Sequence, residues 1–258
     1  MWRNLNRCLA LFVVVIIQGS SSISTAASCK IDEQKCTIDG LQINDPLSKF
    51  QGVVDACTRA LWAKECTYRH RELLLLARGL TRFRLKQFEL ARNDMEEAAR
   101  IASNPEAASH ILNSLAELHA FQREFDQALI IINKAIESAP RKFGHFMTRA
   151  DIYRETSKFD LALQDYGRVA TSSSEYRARA YFWRGRIFIV QEKYLSAVRD
   201  LTSAITENPT HAAALISRGD AYEKLGIMEA AIRDWQQGLA LEPNLLELKE
   251  KLRTLDKP

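Results

Sequence analysis

Five times between Glu72 and Leu245 the chain repeats one pattern of about 34 residues. Aligned on a recurring alanine, the units carry Ala91, Ala128, Ala162, Ala197 and Ala231. Ahead of each stands a small residue, Gly79, Ala116, Ala150, Gly185 or Gly219, always at the same distance. Between them, just before the alanine, come Phe88, Phe125, Phe159, Tyr194 and Met228, and after it Ala98, Ala135, Val169, Ala204 and Gly238. Only small side chains let two helix backbones close to contact distance. The order therefore describes two helices pressed together, the second stopped in three units by Pro140, Pro209 and Pro243. One such pair cannot bury its apolar face alone, so a period of this size predicts a helical solenoid of stacked units.

The pattern resembles the tetratricopeptide repeat over roughly two thirds of the chain, in units spanning 72–105, 109–142, 143–176, 178–211 and 212–245. Departures fall at Arg82 and His119, where that family favours Tyr, and at Ser103 and Ser174, where it favours Pro. The resemblance implies an all-α, right-handed helical solenoid of five helix-turn-helix repeats. A degenerate half-repeat in an N-terminal cap (28–71) would close one end, and a capping helix with its tail (246–258) the other.

Charges recur in step. Arg78, Arg149, Arg184 and Arg218 hold one position of four units, and Asp94, Asp165, Asp200 and Asp234 another. The second unit replaces both at once, with Leu115 and Ile131. Residues that appear and vanish together predict a structural ion pair across each helix pair.

Arg3 and Arg7, an apolar run from Cys8 to Ile17, and a Ser-rich stretch ending Thr25-Ala26-Ala27 have the order of a secretory signal peptide over residues 1–27. The run is shorter than the roughly 20 residues a bilayer span needs, so no stable membrane span is expected after cleavage. The expected compartment is outside the cytosol: the periplasm in a Gram-negative cell, otherwise the exterior. Cleavage would remove Arg3 and Arg7 from a chain of 36 basic and 32 acidic residues, leaving near neutrality. That argues against nucleic acid, which needs a clustered basic surface. Cys29, Cys36, Cys57 and Cys66 then remain, an even number before the first full unit, and predict two disulfides. Cys57 pairing with Cys36 or with Cys66 both stay open, and each bond is worth ~2–4 kcal/mol.

Chemistry is harder to find. His70, His110, His119, His145 and His211 are scattered, with no pair one turn apart to hold a metal. There is no glycine-rich phosphate loop and no nucleophile turn. The expectation is a protein that is not an enzyme and takes no metal or cofactor. The family resemblance instead implies binding of another protein or peptide on the first helices of the units. Read onto this chain, that face offers Met147, Asp151, Arg154, Arg179, Phe182, Arg186 and Asp220, with the fourth unit as its centre. In the first unit it offers Leu76, Leu80 and Phe83, apolar enough to need a cover, for which the N-terminal cap is the expected source. The reading is an exported interaction scaffold. A self-associating structural protein of the envelope, and a redox-active cap built on its cysteines, are the alternatives.

Overall fold

The computed structural model describes residues 47–62, 68–172 and 175–255. The signal peptide, most of the N-terminal cap, Cys29, Cys36, Cys66 and Ser174 lie outside the described residues. Within them stand twelve α-helices and no strand: α1 (Leu47–Trp62), α2 (Tyr68–Arg84), α3 (Phe88–Arg100), α4 (Pro105–Phe121), α5 (Phe125–Ser138), α6 (Phe143–Glu155), α7 (Phe159–Ser172), α8 (Arg177–Val190), α9 (Tyr194–Glu207), α10 (Ala212–Lys224), α11 (Met228–Leu241) and α12 (Leu246–Leu255). None is long and apolar enough to cross a membrane. The helices form two compact units, divided between Ala139 and Pro140.

Every second helix opens on the bulky residue of the repeat, Phe88, Phe125, Phe159, Tyr194 or Met228. The turn before it is the same each time. Lys86, Arg123, Ser157, Glu192 and Gly226 have φ of 60, 63, 57, 58 and 76°. The next N–H reaches back to close the first helix, as from Gln87 to the Arg82 carbonyl at 2.9 Å and from Ile227 to that of Tyr222 at 2.9 Å. This is a left-handed helix stop. Glycine fills it only in the last repeat, so its sequence signal is missing from the other four.

Helix contact within each pair is set by the small residues. A Cβ on Gly219 would come 2.6 Å from the Trp235 ring, and one on Gly185 2.7 Å from Leu201 Cγ. Ala91, Ala128, Ala162, Ala197 and Ala231 are all fully buried.

In the first unit, Leu74, Leu75, Leu76, Leu80 and Phe83 of α2 share a core with Val53, Ala56, Cys57, Ala60 and Leu61 of α1. Phe83, Phe88 and Phe121 close it with ring centroids 5.0–5.9 Å apart. Leu76, Leu80 and Phe83 are therefore buried, each worth ~1.5–3 kcal/mol. In the second unit α12 lays Leu248 and Leu252 against Trp235 of α11.

Three departures from the family pattern have local partners. Ser103 donates both its N–H and, at 2.8 Å, its hydroxyl to the buried Glu72 carboxylate; a proline would supply neither. Arg82 donates to Asp94 at 2.7 Å, and His119 Nδ1 lies 2.5 Å from Glu124 Oε2. α4 starts at Pro105, ahead of Ser109, because Asn104 caps it through the Ala107 N–H at 2.9 Å.

The repeated charges meet in pairs. Arg78 reaches Asp94 through Nε and Nη2 at 3.0 and 2.7 Å. Arg149 reaches Asp165 at 2.7 and 2.9 Å, Arg184 reaches Asp200 at 2.8 and 3.1 Å, and Arg218 reaches Asp234 at 2.7 and 2.8 Å. Each is a two-pronged bond. The carboxylates are nearly buried, at 5–8 % side-chain exposure, against 14–24 % for the guanidinium groups. Burial pushes the Asp200 carboxyl up while Arg184 pulls it down. In the second repeat Leu115 takes the arginine's place and is buried.

Asp200→Ala strands Arg184 and should cost about 1.5–3 kcal/mol in urea unfolding. The double change Arg184→Leu/Asp200→Ile should cost less, since an apolar pair can replace a buried ion pair.

Candidate binding face of the second unit

The first helices of the three repeats in this unit are α6, α8 and α10, and most of each is packed. On α8 only Arg186 and Val190 are exposed; on α6 and α10 only the last residues, Glu155 and Lys224, are. Met147 and Phe182 do not belong to an open face. They retain 2 % and 4 % exposure, and Phe182 packs on Trp183 and on His211, the residue that caps α10, at centroid distances of 5.0 and 4.6 Å. Their apolar bulk is taken up by packing before it could meet a partner.

The other candidates form a network. Tyr166 of α7 donates its hydroxyl to Asp151 Oδ1 at 2.5 Å, and Arg179 of α8 donates to Oδ2. Arg154 lies 3.8 Å from the same carboxylate and pairs with Glu155 at 2.9 Å. Its guanidinium also sits 4.0 Å over the Trp183 ring, a cation–π contact. Complete burial, with Asp151 beside it, pushes the Tyr166 phenol well up, so it stays a donor.

Two helix pairs further on the theme recurs. Trp235 Nε1 donates to Asp220 at 3.0 Å. Burial pushes the Asp220 carboxyl up against the opposing hydrogen bond from Trp235. Lys251 of α12 bridges Glu223 at 2.7 Å and lies 3.9 Å over the Trp235 ring. In both repeats an aromatic donor of the second helix holds an acid of the first. The fourth repeat has Arg186 and Leu201 at those positions and makes no such bond. Arg186 forms no ion pair among the described residues.

Sequence reasoning missed Tyr166, Trp235 and Lys251. A signal existed for two of them: Asp151–Tyr166 and Asp220–Trp235 are both 15 residues apart.

His211 Nδ1 caps α10 by accepting from the Ala214 N–H at 3.3 Å. Burial holds its pKa below the ordinary 6.5. The neutral ring therefore contributes stability above that value, and the contribution is lost as pH falls through the lowered folded pKa. On acidification across that window, the melting temperature of wild type should drop more than that of His211→Asn, which keeps a capping acceptor but does not titrate.

The tetratricopeptide repeat profile matches residues 185–244. Human tetratricopeptide repeat protein 16 is 30 % identical over 139 residues, which are 50 % of this chain and 16 % of the human protein. Hsp70-Hsp90 organizing protein 2 of Arabidopsis thaliana is 23 % identical over 205 residues, 66 % of this chain and 35 % of that protein. This chain thus spans a small part of the length of such relatives. Among solved structures, PilW, a type IV pilus biogenesis factor, superposes with TM-score 0.70 at 17 % identity, over 88 % of this chain and all of that one. YrrB, a tetratricopeptide repeat protein with an unusual peptide-binding site, gives 0.56 at 15 % identity, over 78 % of this chain and 99 % of its own. The described residues therefore have the tetratricopeptide-repeat fold, and residues 185–244 match the profile of that repeat family.

Proposed function

We propose that the chain is an exported, non-enzymatic scaffold for protein–protein interaction, holding a segment of a partner on the first helices of its second unit. The observation that carries this reading is the fixed surround of α8. Asp151, Arg154, Arg179 and Trp183 are locked by hydrogen bonds, ion pairs and stacking, while Arg186 and Val190 face solvent. A surface whose neighbours are already ordered loses little side-chain freedom when a partner arrives. The likeness to a solved protein with a peptide-binding site supports the same reading.

Export is part of the proposal. Its support is the charged, apolar, small-residue order of residues 1–27, together with the cysteines ahead of the first repeat. Cys57 is fully buried in α1 and disulfide-bonded, as suits an oxidising compartment.

Two measurements test the parts separately. A photo-crosslinker at Ile189 of α8 should capture a partner that the same probe at the exposed Gln236 of α11 does not. Equal capture at both sites, or capture of only further copies of this chain, would overturn the binding face. Mass spectrometry of the protein made in its own cells should find the chain starting at Ser28. An intact Met1 in the cytosol would overturn export.

A further inference from the structure

Arg186 lies between two acids that are already engaged. Asp151 on α6 is held by Tyr166 and Arg179, and Asp220 on α10 by Trp235. Neither acid forms an ion pair with Arg186, although the Arg186 charge opposes the upward push of burial on the Asp220 carboxyl. The guanidinium stays exposed, while Arg154 and Arg179 pair with Asp151. One turn further along α8, on the same side, Val190 is 63 % exposed. Four helical residues advance about 6 Å. The rest of α8 is buried or only partly exposed, so Arg186 and Val190 are the two side chains the helix presents most fully.

We infer that this strip is a recognition site for a partner segment carrying one acidic and one aliphatic side chain on the same side. The acid pairs with Arg186 and the aliphatic group packs on Val190. In an extended segment, alternate residues lie ~6.6 Å apart on one side, matching the strip. A second acid next to the first is disfavoured, because Asp151 and Asp220 flank Arg186 with negative charge. Binding should weaken with salt, since the pair is exposed. The inference rests on the scaffold reading above and gives its site a ligand chemistry.

The test uses the full chain and short fluorescein-labelled peptides, followed by anisotropy. One peptide carries Glu and Leu two residues apart; the controls replace Glu by Gln, Glu by Lys, or Leu by Ala. Wild type should bind the Glu–Leu peptide at least about tenfold more tightly than each control. Arg186→Glu should lose that preference and favour the Lys peptide, and Val190→Ala should abolish only the Leu preference. Arg186→Gln, which removes charge without reversing it, should bind the Glu and Gln peptides alike. Circular dichroism melts matching wild type would show that the variants fold. Equal binding of the Glu and Gln peptides by wild type, or an unchanged preference in Arg186→Glu, would overturn the inference while leaving a peptide-binding scaffold standing. No binding of any peptide would overturn both.

Discussion

Everything in this structure depends on two helices in each repeat approaching closely enough to exclude side chains between them. At Gly79, Gly185 and Gly219 a single added carbon would meet Met95, Leu201 or Trp235 at 2.6–3.0 Å. Closeness there carries the second helix's large apolar side chains, Met95, Tyr166, Leu201 and Trp235, into full burial. It also brings the arginine of the first helix within two-pronged reach of the aspartate on the second. A larger residue at the contact would separate both layers together, because packed interiors have no slack to absorb it.

The Arg–Asp pairs lie at the margin of that contact, acid inside and guanidinium at the boundary. Their net value is small compared with apolar burial, since desolvation offsets much of the attraction. What they add is pairing geometry: a planar fork matched to a carboxylate fixes the helices' rotation about each other. The second repeat does without one and fills the same space with Leu115 and Ile131, so the positions must match each other rather than be charged.

The candidate face follows from the same packing. An acid on the first helix is acceptable where the second helix supplies an aromatic donor, as Tyr166 does for Asp151 and Trp235 for Asp220. The repeat between them has Leu201 instead of a donor, and there the first helix carries an outward arginine. The alternation of charge across α6, α8 and α10 is thus written into the core behind it.

Much of this was legible in the chain itself. Repeat spacing, small-residue positions and paired substitution of charge are local, periodic properties, and physical contact follows from them wherever two helices close. The sequence alone determined the helix pairs, where each second helix opens, and which arginine faces which aspartate. Tertiary structure alone decided which members of the face remain available. Met147 and Phe182 occupy face positions in the repeat, yet packing buries them, Phe182 against His211 at the start of the next repeat's first helix among its neighbours. Asp151 and Arg179 lie 28 residues apart and meet only once two repeats have stacked. Exposure is a property of neighbours, and the neighbours of a first helix come from other repeats, whose side chains no single repeat's pattern contains.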